Sequence, residues 1–270
     1  MFARHVGSTA EIEIVVSFHY ICSFKKQLMN RNKVILLAVI IPIISISMLG
    51  AAYYFRAPIK ALLIKVHDLI CPPPPPPDTC WGIDISHHQK SVDWELLVEK
   101  NKPDFIFLKA TEGSSHTDSK YSEYAAEARK QGIPVGAYHF FSYNSSGKQQ
   151  ASNFIKTARL SKGDLFPVLD VEFRKNMKDR KWIIAEISSF CKEIKKEYGV
   201  NPIIYCEYDY YKKYLEDDFG DFNYWISDFY REPRCNYVFW QYTDKGMVEG
   251  IGKIDNNRMN KVKKLEDYIL

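Results

Sequence analysis

Two acidic residues, Asp170 and Glu172, stand two positions apart after the apolar run Pro167–Leu169. On a β-strand, residues i and i+2 point to the same side, and their Cα atoms lie roughly 6.6 Å apart at ~3.3 Å per residue. Two carboxylates so close disfavour joint ionisation, so one tends to keep its proton beside an ionised partner. Such a pair is suited to general acid–base chemistry. The alternative is a pair of surface acids at a strand end, which the buried character of the preceding run disfavours.

Polar side chains also follow most of the other apolar runs after residue 78. They are Asp84, Lys109, Glu112, Tyr138, His139, Asp228 and Gln241. In α/β barrels the active site lies where the strands end, so we predict that these side chains gather around one site. Two alternatives stay open. Asp84 could be a cap or turn residue, and His139 could be a histidine whose hydrogen bonds are satisfied in the core.

Aromatic residues at or near strand ends suggest a sugar-binding groove, since aromatic faces stack on the apolar faces of sugar rings. The candidates are Tyr138, Tyr205, Trp225, Trp240 and Tyr242. For each of them, a place in the barrel core is an equally good interpretation. His87 and His88 are adjacent and would face opposite sides of a strand, so we expect no metal and no cofactor.

Short apolar runs alternate with longer amphipathic ones from residue 78 onwards. The predicted strands are 81–86, 104–110, 134–140, 165–172, 202–206, 223–228 and 237–242, and the predicted helices are 93–101, 119–132, 147–160, 179–198 and 208–216. This alternation predicts an α/β sheet or barrel with parallel strands. About 190 residues are few for a full eight-unit barrel of about 250, and 223–256 contains no long helix. A barrel with a degenerate, antiparallel final part fits both observations.

The N-terminal part of the chain contains a candidate membrane span. Val34–Phe55 holds 22 residues without a charge, enough to cross a bilayer core of ~30 Å. Four basic residues lie between 25 and 33 and only Arg56 follows closely, so 1–33 is expected in the cytoplasm and the rest outside. A cleaved signal peptide ending near 50–52 is the alternative. Residues 1–28 resemble an over-extended gene start ahead of Met29.

Residues 56–79 are expected to connect this anchor to a catalytic domain at 80–270. The segment 56–71 could form an amphipathic helix on the membrane surface, and Pro72–Pro77 would form a stiff spacer. Residues 78–270 carry 29 basic and 30 acidic side chains. This part has no basic excess of the kind that nucleic-acid binders need, so we expect no nucleic-acid partner.

Seven sequence motifs, in order, resemble glycoside hydrolase family 25, the Chalaropsis-type lysozymes. They are GIDISHHQ, the run from VDWELL to FIFLKATEG, ARKQGIPVGAYHFF, LFPVLDVE, YWISDF, VFWQYTD and GKIDNN. The resemblance covers nearly all of 80–260. Lys90 departs from it, since glycine is usual after HHQ; so do Asn256 and the pair Cys206-Glu207.

The resemblance implies an irregular TIM-like barrel of the β5α5β3 type and cleavage of the β-1,4 bond between N-acetylmuramic acid and N-acetylglucosamine in peptidoglycan. It implies that Glu172 is the general acid and that Asp170 assists the substrate's N-acetyl group. Asp84 matches the acid that ends the first strand, Asp255 the final aspartate of the pocket, and Tyr138 a groove aromatic. Lys109, Glu112, Asp228 and Gln241 complete the expected groove.

Three functional alternatives follow from the sequence. The first is a membrane-anchored, monomeric muramidase of the cell envelope that remodels the wall of its own cell. The second is a wall-binding module that has lost turnover, and the third is a hydrolase of another β-1,4 N-acetylhexosamine glycan. Retaining and inverting chemistry both stay open from the residues alone, because the sequence does not give the separation of the carboxylates.

Overall fold

The computed structural model describes residues 80–270. The predicted tail 1–33, span 34–55 and linker 56–79 lie outside the described residues. Among the helices of residues 80–270, none combines the length and the apolar character that a bilayer crossing requires.

Nine strands alternate with five helices in residues 80–270. The strands are β1 (Trp81–Ile85), β2 (Phe105–Glu112), β3 (His116–Thr117), β4 (Val135–Phe140), β5 (Val168–Asp170), β6 (Ile203–Glu207), β7 (Tyr224–Ser227), β8 (Tyr237–Val248) and β9 (Gly252–Met259). The helices are α1 (Trp94–Asn101), α2 (Tyr121–Lys130), α3 (Gly147–Ala158), α4 (Arg180–Tyr198) and the short α5 (Tyr208–Tyr210). A π-helical turn, Tyr211–Leu215, continues α5, so the predicted helix 208–216 is helical but irregular.

Eight of these strands close into a barrel, and β3 extends it as a short hairpin with β2. Closure occurs where β1 pairs with β2 in parallel and with β9 in antiparallel fashion. Five strand–helix units are followed by three strands, β7 to β9, without intervening helices. The predicted α/β barrel with an antiparallel final part is therefore confirmed.

Strand β9 is the one barrel strand that the sequence did not predict as a strand. Its residues, GKIDNNRM, lack the run of apolar side chains that marks a buried strand. The reason is that its inward positions carry Asp255 and Asn257, which face Asp84 and Gly82 of β1 across an antiparallel register. A strand that contributes polar groups to a site has a weak hydrophobic signature.

Along each strand, successive side chains point alternately to the surrounding core and to the barrel interior. On β1, Ile83 and Ile85 pack in the core that includes the surrounding helices, whereas Asp84 points to the barrel interior.

Capping side chains fix the first turns of the helices α1 and α4. Asp93 accepts a hydrogen bond from the Leu96 amide at 3.0 Å, and Asp179 from the Trp182 amide at 2.9 Å. The helices thus begin at defined points outside the barrel.

Aromatic rings fill the barrel beneath the polar end. Phe107 stacks on Trp225 with ring centroids 4.7 Å apart, and Phe105 lies 4.8 Å from Phe239. The space for the two β2 rings, Phe105 and Phe107, comes from glycines on β1 and β4, the strands that flank β2. A Cβ at Gly82 would lie 2.4 Å from the Phe105 ring, and one at Gly136 would lie 2.3 Å from the Phe107 ring.

Gly136→Ala is expected to lower the free energy of unfolding by about 1–3 kcal/mol, because the added methyl overpacks a ring held on several sides. Thermal or urea unfolding monitored by circular dichroism measures the change. Gly220→Ala is the matched control, because a Cβ there would lie 3.5 Å from the backbone oxygen of Glu216, an ordinary contact. Equal stability of the two variants would contradict this account of the barrel interior.

Lys90, one of the departures from the family motif, lies at a turn whose backbone conformation is unusual. Its φ angle is 58°, in the region of backbone space that favours glycine. The residue follows the short 3₁₀ helix His87–Gln89, whose Ser86 cap carries the chain away from β1. A non-glycine residue at this turn carries backbone strain on the order of 1 kcal/mol.

Candidate active site

Two adjoining cavities open at the carboxyl end of the parallel strands, with volumes of about 300 Å³ and 730 Å³. The smaller one is lined by Asp84, Lys109, Tyr138, Asp170 and Trp225, among others. The larger one is lined by Glu207, Tyr208, Asp228 and Phe229, among others. Four residues line both cavities: Glu172, Tyr205, Gln241 and Asp255. The two cavities therefore form one continuous groove, and these four side chains lie at their junction.

A bulge in β2 brings Lys109 and Glu112 to the same side. The register with β4 shifts between Lys109 and Thr111, which adds one residue to the strand. Both Lys109 and Glu112 then line the smaller cavity, and Lys109 Nζ donates to Glu112 Oε2 at 2.6 Å. Burial opposes ionisation of Glu112, but the hydrogen bond and charge of Lys109 outweigh it and lower the pKa of Glu112.

Asp170 and Glu172 lie at the end of β5 as the sequence predicts. The segment that follows β4 holds their backbone, since Phe141 N–H donates to Asp170 O at 2.8 Å and Tyr143 Oη donates to Glu172 O at 2.7 Å. Asp170 is 6% exposed, whereas the Glu172 side chain is 30% exposed. The buried carboxylate thus stands behind a more accessible one.

The electrostatics of this pair disfavour ionisation of both carboxyl groups at once. Burial, followed by the charge of Glu172, raises the pKa of Asp170 well above its ordinary range. Burial also raises the pKa of Glu172, although Arg174, whose Nη2 lies 3.2 Å from Glu172 Oε2, acts in the opposite direction. Asp170 Oδ1 is buried and has no hydrogen-bond partner. Asp170 therefore brings a buried carboxyl oxygen without a protein partner to the lining of the groove, and the raised pKa values favour a proton on the pair.

Asp84 is held by a buried network of amides. Its Oδ2 accepts hydrogen bonds from Asn257 Nδ2 at 2.7 Å and from Gln241 Nε2 at 3.0 Å. The amide oxygens accept in turn, since Trp225 Nε1 donates to Asn257 at 2.8 Å and Tyr205 Oη to Gln241 at 2.8 Å. Every amide is thereby oriented, and Asp84 is fixed in place. Burial and the charge of Asp255 raise its pKa, which these two donors partly offset.

Asp255 lies opposite Asp84 across the β1–β9 pair and lines both cavities. Burial, with a further contribution from the charge of Asp244, raises the pKa of Asp255 to about 6. When the pKa of a carboxyl group is higher in the folded than in the unfolded state, protonation of that group stabilises the folded state. This stabilisation is present below pH 4 and is lost as the pH rises through about 6.

Asp255→Asn is accordingly expected to raise the free energy of unfolding at pH 8 by on the order of 2 kcal/mol, after allowance for solvent screening. The gain should build up between pH 4 and about 6 and vanish at lower pH. Urea unfolding at several pH values measures it. Asp221→Asn, at an exposed surface position, is the control. A gain that does not depend on pH would contradict the assignment.

Eleven of the thirteen predicted site residues line the groove, and two do not. His139 is fully buried and points away from the barrel interior, with Nδ1 2.7 Å from Thr111 Oγ1 and Nε2 3.0 Å from Gln150 Oε1. Trp240 is 5% exposed, lies outside the barrel wall and donates to Asp228 O at 2.7 Å. The structure therefore does not place these two predicted residues in the groove. Each is the strand neighbour of a residue that faces inward, Tyr138 and Gln241 respectively.

Several groove residues were not predicted from the sequence. They are Ser86, His88, Phe140, Arg174, Ser227, Glu207, Tyr208, Asp209, Phe229, Tyr230, Arg231 and Asp244. Arg174 could have been predicted from the sequence, because it lies two positions after Glu172 and continues the spacing of Asp170 and Glu172. The loop residues carried none, since turns have no fixed period. Within residues 80–270, no group of three or more histidine, cysteine or acidic side chains is arranged to hold a metal ion.

Comparison with known proteins relates this groove to a family. The model of glycosyl hydrolases family 25 matches residues 83–251. This chain belongs to that family. It is therefore a glycoside hydrolase.

Relatives and solved structures agree with the assignment to family 25. The protein YegX of Escherichia coli O6:H1 is 32% identical over 227 residues, which cover 80% of each chain. The autolytic lysozyme of Clostridium acetobutylicum is 30% identical over 63% of this chain and 52% of its own. A family 25 glycosyl hydrolase from Bacillus anthracis is 34% identical and superposes with a TM-score of 0.65, covering 70% of this chain and 93% of that one.

Proposed function

We propose that this family 25 enzyme is a muramidase that hydrolyses the β-1,4 bond between N-acetylmuramic acid and N-acetylglucosamine in peptidoglycan. The position of Glu172 carries the proposal. Its side chain lies where the two cavities meet, so a glycan bound along the groove would have one sugar on each side of it. The bond between those sugars would then lie beside a carboxyl group whose pKa is raised.

In the first step, Glu172 donates its proton to the oxygen that links the two sugars, and the bond from this oxygen to the anomeric carbon breaks. The acetamido oxygen of the same N-acetylmuramic acid attacks the anomeric carbon and forms a five-membered ring. This is substrate assistance, one of the exceptions to the two-carboxylate scheme. Asp170 supports it, because its unpartnered Oδ1 can accept the acetamido N–H and stabilise the positive charge that develops there.

In the second step, Glu172 as the carboxylate takes a proton from water, and the resulting hydroxide attacks the anomeric carbon. The ring opens, the acetamido group is restored, and the configuration is retained. Asp84 and Asp255 line the cavity beside this centre and bind sugar hydroxyls from fixed positions. Lys109 balances part of the negative charge, since it acts on both Asp170 and Glu172 and lowers their pKa values.

The cellular place of the enzyme follows from its substrate and from its N-terminal sequence. Peptidoglycan lies outside the cytoplasmic membrane, and 34–55 has the length and apolar character of an anchor. We therefore place the catalytic domain in the cell envelope, attached through residues 34–55 and spaced from the membrane by Pro72–Pro77. An anchored monomer acts on the wall of its own cell, so remodelling is the favoured role.

Digestion of purified peptidoglycan, with products identified by mass spectrometry, tests the proposal. Fragments that end in reducing N-acetylmuramic acid are expected. Fragments that end in reducing N-acetylglucosamine would identify a different bond. Binding to the wall without release of reducing ends would instead indicate a wall-binding module.

A further inference from the structure

A third cavity, of about 240 Å³, adjoins the catalytic groove on the side of Glu112, Phe140 and Arg174. These three residues also line the smaller catalytic cavity, so the two spaces are continuous. Neither the acid–base steps nor the binding of the two sugars uses this side pocket. The groups that line the side pocket indicate what else could bind there.

The side pocket combines one cation with neutral polar groups. Arg174 supplies the positive charge, and Ser142, Asn144 and Asn176 supply hydroxyl and amide groups. Asn176 Nδ2 donates to Asn144 Oδ1 at 3.0 Å, which orients the two amides relative to each other. Glu112 also lines the pocket, but Lys109 holds it at 2.6 Å and neutralises its charge. The cation that a ligand in this pocket would meet is therefore Arg174, and the ligand would compete with Glu172 for it.

Arg174 is placed by an aromatic face rather than by a buried ion pair. Its guanidinium lies 4.3 Å from the centroid of Phe140 and contacts Glu172 Oε2 at 3.2 Å. Lys109 Nζ lies 4.6 Å from the same ring. The guanidinium has five N–H donors in a planar fork, and the contact to Glu172 uses a part of them. A carboxylate that enters the side pocket can therefore bind in bidentate fashion.

We propose that the side pocket binds a carboxylate of the lactyl substituent of muramic acid, or of the peptide attached to that substituent, and that Arg174 recognises this carboxylate. This inference rests on the proposed function, and it adds a binding site for the substituent that distinguishes muramic acid from glucosamine. The carboxylate can come from the lactyl group of a peptide-free glycan or from the peptide attached to that group. Both present the same chemistry to Arg174.

Binding of this carboxylate also frees the general acid. While Arg174 contacts Glu172, it favours the ionised form, which cannot donate a proton. A substrate carboxylate competes for the guanidinium and draws it away from Glu172, which then takes up its proton. Arg174 thus links recognition of muramic acid to the readiness of Glu172, and it is a specificity-determining and positioning residue.

The test compares matched glycans with the full-length chain. One glycan keeps its carboxylates, and its partner has the same carboxylates converted to carboxamides of nearly equal size. Wild-type enzyme is expected to cleave the carboxylate form with a kcat/KM roughly tenfold or more higher. Arg174→Gln should reduce this ratio to about one, and Arg174→Lys should keep part of it. A peptide-free pair and a peptide-bearing pair show which carboxylate is read.

Arg180→Gln is the matched control. Arg180 has the same side-chain exposure as Arg174, 45% against 46%, and it also pairs with a carboxylate, that of Asp218. Its substrate ratio should equal that of the wild type. The pH profile gives a second readout: without Arg174, the alkaline fall of kcat/KM on the amidated glycan should move to higher pH.

Two results would overturn the inference. One is equal wild-type cleavage of the carboxylate and carboxamide glycans, and the other is an unchanged ratio in Arg174→Gln. Either result leaves the muramidase assignment intact, since cleavage itself is observed. If wild-type enzyme cleaves none of the glycans, the proposed function fails, and the inference fails with it.

Discussion

Glu172→Gln is expected to reduce turnover of peptidoglycan by at least about 10³-fold while the affinity for the glycan stays within a few fold. The amide has nearly the size of the carboxyl group, so the groove keeps its shape. It cannot give a proton to the leaving oxygen or take one from water, so both chemical steps lose their acid–base group. Reducing-end release and co-sedimentation with the insoluble wall measure turnover and binding separately.

Glu207→Gln is the control for this experiment. Glu207 is an exposed glutamate that lines the larger cavity, and its charge contributes to the raised pKa of Glu172. The variant thus removes a charge from the groove and leaves the proposed general acid in place. Its turnover should stay within about threefold of the wild type. Retained turnover in Glu172→Gln would refute the assignment of the acid. An equal loss in both variants would indicate that charge in the groove, rather than proton transfer, limits the reaction.

Asp170→Asn is expected to lower kcat by about 10²–10³-fold, because the ring-forming step then lacks the negative charge that stabilises the acetamido nitrogen. KM should change little, since the amide oxygen can still accept the acetamido N–H. Asp209→Asn, at an exposed position in the larger cavity, is the control and should behave like the wild type.

The substrate offers an independent check on the role of Asp170. A glycan whose muramic acid has lost its N-acetyl group cannot supply the attacking oxygen, so its turnover should fall to the background level. Nuclear magnetic resonance of the first product should show the β anomer. An initial α anomer would replace substrate assistance with a direct attack by water. Full cleavage of the de-N-acetylated glycan with a β product would instead assign the first attack to a carboxylate of the enzyme.

The two predicted site residues that lie outside the groove show a limit that was already present in the sequence. Tyr138 and His139 are neighbours on β4, and Trp240 and Gln241 are neighbours on β8. Adjacent strand residues point to opposite faces, so one member of each pair had to leave the site. Which member leaves depends on the register of the barrel. The structure decides it by placing Tyr138 and Gln241 on the inside.

The sequence also left the surroundings of the carboxylates open. The hydrogen-bond partners of Asp84 depended on β9, which pairs with both β8 and β1 and brings Asn257 Nδ2 to 2.7 Å from Asp84 Oδ2. The approach of Arg174 to Glu172 likewise depends on the chain beyond β5 and on the Phe140 ring of a neighbouring strand. These contacts join residues that are distant in sequence or that lie in turns.

Local rules determined the alternation of strands and helices, the parallel barrel with its antiparallel end, and the placement of Asp170 and Glu172 on one side of β5. These features depend on the period of a strand, on the apolar runs and on the ordered family motifs, all of which are read within a few residues. Only the tertiary structure decided which polar residues share the groove, that Asp170 Oδ1 lacks a partner, and that a side pocket joins the site at Arg174. The physical reason is that closure of the barrel and the bulge in β2 set the facing and burial of each side chain, and both arise from pairing between distant strands.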